Sequence, residues 1–205
     1  MENYAELMFT QAVQDLQSDE GSKERFEAFY PHRTQKSLSD EDVAFVRSRN
    51  SFYMATVNSD GWPYIQHRGG EQGFVNVIGP TTLACADYPG NKQFISMGNL
   101  KTDSRVSLFF MDYANRARLK VQGHATLISA VNADQSLLSK LDQRAAPAER
   151  ILQIEILAMD WNCPKYIPTM LSEAEILATI APQLDALRSE NAALRAELAQ
   201  KSSSN

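Results

Sequence analysis

The segment RARLKVQGHATLI, residues 116–128, decides the architecture. Within it Leu119, Val121, Ala125 and Leu127 alternate with Arg118, Lys120, Gln122 and His124. Successive side chains of a strand point to opposite faces, so this spacing predicts a β-strand with one apolar face and one cationic, hydrogen-bonding face. The apolar face calls for a core behind it. The cationic face has two readings: a solvated outer surface, the usual place of charged side chains, or the wall of a groove that receives an anion.

Outward from this strand the β pattern repeats. SFYMATV (51–57) and WPYIQHR (62–68) flank NSDG, whose turn chemistry predicts a hairpin. GFVNVI (73–78), TTLACA (81–86), RVSLFFMDY (105–113) and ILQIEILAMDW (151–161) follow, set apart by Gly, Pro, Asn and Asp. About seven short strands at this spacing predict a mainly β fold, a sandwich or a barrel, with helices as lids. Residues 1–50 read as a helical N-terminal segment packing on the barrel, with Ser39 as an N-cap followed by acids in the first turn. A further helical stretch is expected near residues 132–145.

The C-terminal part changes period again. Leu177, Ile180, Leu184, Leu187, Asn191, Leu194 and Leu198 are spaced alternately by three and four, an a/d heptad seam with Asn191 at an a position. Glu190 falls at g and Arg195 at the next e. Paired C-terminal helices or an amphipathic helix docked on its own subunit both fit this pattern. The expected organisation is therefore a barrel over 51–168, a heptad helix over 169–200 and a polar tail, KSSSN, over 201–205.

Composition narrows the function classes. A formal net charge of -5 over 205 residues argues against a general attraction to nucleic acid. The start MENYAELMFTQAVQDLQ lacks the basic and apolar regions of a secretory signal, and no run approaches the roughly 18 apolar residues of a membrane span. A cytoplasmic protein without a membrane partner is expected. Cys85 and Cys163 make no CxxC pair, and His32, His67 and His124 are scattered, so no metal site is predicted.

One turn carries chemistry. DYPGNK, residues 87–92, leaves the strand TTLACA and runs into QFISMGNL, whose spacing is helical. A glycine-bearing turn that enters a helix exposes backbone N–H groups, and Lys92 adds a charge, a combination able to hold a phosphate.

PYIQHRGG (63–70), DYPGNK (87–92), SRVSLFF (104–110) and LKVQG (119–123), in this order, resemble the FMN-binding split barrel of the pyridoxamine 5'-phosphate oxidase family. The resemblance covers about residues 45–167. It implies a homodimer with FMN in grooves at the subunit interface. It also implies cofactor contacts from Gln66, His67 and Arg68 on the strand after the first hairpin, and from Asp87, Tyr88, Asn91 and Lys92 in the phosphate turn. Asn91 and Lys92 stand where such oxidases have an Arg-Lys pair, so Arg68 or Lys120 is expected to supply the missing charge. Arg118 falls where the oxidases place a flavin-contacting Gln. Arg68 or His67 is expected near the N1–C2 edge of the flavin. Lys165 and Tyr166, in the NCPKYI turn, either close the groove or, for Tyr166, pack in the core.

In place of the oxidases' Arg-rich C-terminal segment the chain has WNCPKYIPTM and the heptad helix, so a substrate other than pyridoxamine phosphate is expected. The resemblance thus implies an FMN-dependent oxidoreductase acting on a small molecule. The flavin carries the electrons and no catalytic side chain is required. NADH or NADPH would visit the flavin, because the sequence has no GxGxxG. The alternatives are a non-catalytic dimeric module that binds flavin or haem, and a structural dimer with an empty groove.

Overall fold

The computed structural model describes residues 1–141, 147–161 and 164–203, with backbone alone at 197 and 201–203. The chain divides into two compact units: residues 1–112 with 117–165, and residues 113–116 with 166–205.

The first unit is built on seven antiparallel strands: β1 (Ser51–Val57), β2 (Pro63–Gly69), β3 (Asn76–Gly79), β4 (Thr82–Asp87), β5 (Arg105–Asp112), β6 (Ala117–Ser129) and β7 (Arg150–Trp161). Their order is β2-β1-β5-β6-β7-β4-β3. The sheet curls, because Arg68 of β2, at one end of this order, reaches Asp87 of β4, near the other, at 2.6 Å. This is the mainly β fold that the strand spacing predicts, in the split-barrel form that the resemblance implies.

Alternation explains what the barrel encloses. In β6, Leu119 and Val121 are fully buried and Ala125 nearly so, while His124 is exposed. They meet Phe52, Met54, Leu83, Leu108, Phe110, Leu152 and Ile154 in one apolar cluster. Each large side chain buried there contributes about 1.5–3 kcal/mol relative to exposure. Between Gln122 and Gly123 the β6–β7 register shifts. A Cβ at Gly123 would strike the Glu155 carbonyl oxygen well inside the 3.0 Å that real Cβ atoms keep, so the strands approach there only because the residue is glycine.

Short helices surround the sheet: α1 (Tyr4–Met8), α2 (Gln11–Asp19), α3 (Lys23–Phe29), α4 (Asp40–Arg47), α5 (Ile95–Thr102) and α6 (Gln135–Leu141). Ser39 caps α4 in a reciprocal capping box with Asp42. Asp42 also accepts from the Trp161 indole at 2.8 Å, and Phe45 meets the Trp161 ring edge-on, which fastens α4 to β7. Asn3 both caps α1 and donates to the Tyr30 carbonyl and the Thr34 hydroxyl. Helix α6 lies within the predicted 132–145 stretch, whose last residues, from 142, lie outside the described ones.

The second unit is dominated by one long helix, α7 (Glu173–Ser203), which contains Pro182. It carries the heptad seam. Residues 204–205 of the expected tail lie outside the described residues. Among the described residues no helix is long and apolar enough to cross a membrane.

Candidate functional site

The polar end of the barrel interior forms the candidate site. Across the β1–β2 ladder Phe52 faces Arg68, Met54 faces Gln66 and Thr56 faces Tyr64. Residues paired directly across an antiparallel ladder share a face. Gln66 and Arg68 therefore continue the core face of β1. On β4, Asp87 is in phase with the buried Leu83 and Cys85, and it pairs with Arg150 of β7, itself in phase with Leu152 and Ile154. Four polar side chains thus occupy positions whose period marks them as interior.

Asp87 organises them. One carboxylate oxygen accepts from Arg68 Nη1 at 2.6 Å and the other from Arg150 Nε at 2.7 Å. Both pairs are largely desolvated, with side-chain exposures of 12% for Arg68, 18% for Arg150 and 10% for Asp87. Burial works against the charge of Arg150, but the hydrogen bond and charge of Asp87, and then of Glu149, hold the guanidinium pKa above its ordinary value. Arg68 Nε is buried with no hydrogen-bond partner. A buried, unmatched donor on a cation is expensive and invites an acceptor.

The turn after β4 forms the opposite wall. Lys92 and Phe94 both adopt left-handed backbone, with φ of 59° and 56°, a conformation costing roughly 1–2 kcal/mol for a non-glycine residue. Asn91 Oδ1 accepts from the Gln93 amide at 3.1 Å and so stabilises the turn locally. Helix α5 begins at Ile95. Ser96 donates to Gln66 at 2.8 Å and Asn99 to Thr56 at 2.9 Å, which locks α5 onto β2 and β1. Strand ends, turn and helix start enclose a polar cavity of about 130 Å³. Its lining carries three cations, Arg68, Lys92 and Arg150, against one carboxylate, Asp87. Such a site favours an anion at its mouth.

The structure brings Gln66, Arg68, Asp87, Tyr88, Asn91 and Lys92 together around this cavity. It does not bring His67, Arg118 or Lys120 there. His67 pairs with Tyr53 across β1–β2, Tyr53 with Phe109 across β1–β5, and Phe109 with Lys120 across β5–β6. These residues therefore lie on the outer face of the sheet. The His67 ring meets Tyr53 edge-on, and the Arg118 guanidinium lies over the Phe109 ring at 5.6 Å with its Nε buried and unpartnered. Lys120 ion-pairs with Asp160 at 2.9 Å, and its ammonium lies over the Tyr4 ring. Consecutive residues of a strand cannot all contact one ligand from one side, and Gln66, His67 and Arg68 obey that rule.

Lys165 is exposed and is not among the residues lining the cavity. Tyr166 belongs to the second unit, is 87% exposed and has a φ of 66°. Asn162 and Cys163 of the NCPKYI turn lie outside the described residues. Arg150 and Ser96 were not expected. A signal for Arg150 existed, because a charged residue two positions before Leu152 and four before Ile154 stands in phase with a core face and must find a partner.

Comparisons with known proteins bear on this architecture. The family model described as pyridoxamine 5'-phosphate oxidase matches residues 38–160. No curated protein matches the chain. Among solved structures, HupZ of Group A Streptococcus is 12% identical over 65% of this chain and 99% of its own, with a TM-score of 0.48. A Lactobacillus delbrueckii protein named for pyridoxamine 5'-phosphate oxidase is 22% identical over 62% of this chain and 97% of its own, with a TM-score of 0.48. An FMN-binding protein of Syntrophomonas wolfei is 15% identical over 71% and 97%, with a TM-score of 0.43. The family match spans more than half of the chain and takes in α4, α5, α6 and the whole sheet except Trp161, the last residue of β7, so the protein belongs to the pyridoxamine 5'-phosphate oxidase family.

Proposed function

We propose that the protein is a cytoplasmic FMN-dependent oxidoreductase of this family, acting on a small molecule other than pyridoxamine phosphate, and that the cavity between β2, β4 and the 88–94 turn receives the FMN phosphate. The observation that carries this reading is the pair of desolvated arginines, Arg68 and Arg150, held by one carboxylate beside a Lys-bearing turn. A phosphate takes charge-assisted hydrogen bonds, and guanidinium groups are its best-matched partners. The unmatched Arg68 Nε fits the same need. Arg150 supplies the cation that the Asn91-Lys92 turn lacks.

Size supports a division of labour. At about 130 Å³ the cavity is smaller than the roughly 300–1,000 Å³ typical of whole-ligand pockets. One chain accommodates the phosphate head, and a second copy in a homodimer would cover the remainder of the cofactor. When bound, FMN supplies the electron-transfer chemistry. The protein's own residues bind and orient: Arg68, Arg150 and Lys92 hold the anion, Gln66 lines the cavity with its Oε1 fixed by Ser96, and Asp87 keeps both arginines in place.

The test is the visible absorption of purified protein before and after addition of FMN and gel filtration. Retained oxidised-flavin absorption, lost in Arg150→Gln, supports the assignment. A folded, colourless protein that refuses FMN would overturn it. Oxidation of NADH or NADPH by the loaded protein then separates an enzyme from a non-catalytic flavin-binding module.

A further inference from the structure

We propose that α7 pairs with the α7 of a second copy of this chain as a parallel, in-register, two-stranded coiled coil. Leu177, Ile180, Leu184, Leu187, Leu194 and Leu198 are each at least 41% exposed, so a continuous apolar stripe faces solvent along the helix. A stripe at alternating three- and four-residue spacing is the seam of a coiled coil and needs a partner with the same repeat. The chain's own copy has it.

Two features choose the orientation. In a parallel, in-register pair Asn191 meets its counterpart, and the two amides hydrogen-bond each other. In an antiparallel pair a packs against d, so over the longest overlap, 180–198, Asn191 would meet the partner's Leu187 and leave a buried amide unmatched. The flanking charges agree. Parallel pairing brings Glu190 at g to Arg195 at the partner's e, whereas antiparallel pairing sets e against e and g against g, which puts Arg188 against the partner's Arg188 and Glu190 against the partner's Glu190. Two strands follow from the same Asn, since a single buried Asn at an a position selects the dimer at some cost in stability. Pro182 falls at f, where its missing N–H and the kink it causes face water rather than the seam.

This inference does not depend on the flavin reading. It is tested in the full chain carrying Leu194→Cys and Cys163→Ser, which leaves the buried Cys85 as the other thiol. Under a glutathione redox buffer a 194–194 disulfide between two chains is expected, with a mass of two chains and unchanged helicity. Leu187→Glu in the same background should slow that trapping at least tenfold while the near-ultraviolet circular dichroism of the folded barrel stays as it was. A folded protein that forms no 194–194 link, or one that assembles three or more chains, would overturn the proposal.

Discussion

Replacing Asp87 by Asn separates stability from anion affinity. Asp87 holds Arg68 and Arg150 at 2.6 and 2.7 Å with little solvent around any of the three groups. Asparagine keeps one carbonyl acceptor for one arginine but turns an amide donor toward the other. Stripping one partner from a fully buried ion pair costs about 3–5 kcal/mol. The cavity's water access reduces this, so a loss of about 2–3 kcal/mol is expected. For a chain of this size that lowers Tm by about 5–10 °C. Anion binding moves the other way. Asp87 is the carboxylate in the lining, and removing its repulsion favours a phosphate by about 1 kcal/mol, roughly fivefold in Kd. Calorimetric melting and FMN fluorescence titration of the same preparation measure the two effects. An unchanged Tm would mean that the arginines do not rely on Asp87, and a weaker Kd would mean that Asp87 contacts the ligand itself; either refutes the reasoning.

Other substitutions and titrations have equally definite outcomes. Gly123→Ala forces a methyl group into the Glu155 carbonyl and should destabilise the fold by about 2–4 kcal/mol, read in urea melts; wild-type stability would show that β6 and β7 can separate there. Burial in the core pushes the Cys85 thiol up to about 12. The folded state thus keeps its proton where the unfolded chain loses it, so this contribution is complete below the ordinary thiol pKa and is lost as pH rises toward about 12; Cys85→Ala should flatten that part of the alkaline stability curve. Hydrogen bonds from the Arg105 side chain and backbone lower Asp103 to about 2. Its small contribution is present above the ordinary carboxylate pKa and fades as pH falls through about 2, and Arg105→Gln should move the Asp103 titration, followed by NMR, upward.

Much of this was legible in the sequence for a simple reason. A period of two in β1, β2 and β6, with turn residues between, leaves few ways to bury Phe52, Met54, Leu119 and Val121 except in a curled sheet. The turn 87–92 was legible as part of a polar, Lys-bearing site because its chemistry is local. The composition of the cavity was less so. Arg150 reaches Asp87 only through the β4–β7 pairing, across 63 positions of chain, and its charge reads as surface until that register is known. The cationic face of β6 misled in the opposite way. Lys120 is balanced by Asp160, a partner set by the β6–β7 register, and no local pattern announces it. Grouping Gln66, His67 and Arg68 ignored the strand's own alternation, which sends His67 outward to Tyr53.

The bridge from β2 to β4 has a kinetic consequence. Neighbouring strands elsewhere in the order are laced by backbone ladders, whereas β2 and β4 touch through the ionic clasp of Arg68 and Asp87. Side chains release one another by rotamer changes, far faster than a ladder unzips. The cylinder therefore opens most readily along this seam, beside the polar cavity. Amides along the free edge of β2 should exchange with deuterated solvent well before those of β6, and a bound anion drawing on the same arginine should slow them, so that filling the cavity stiffens the slit through which it is filled.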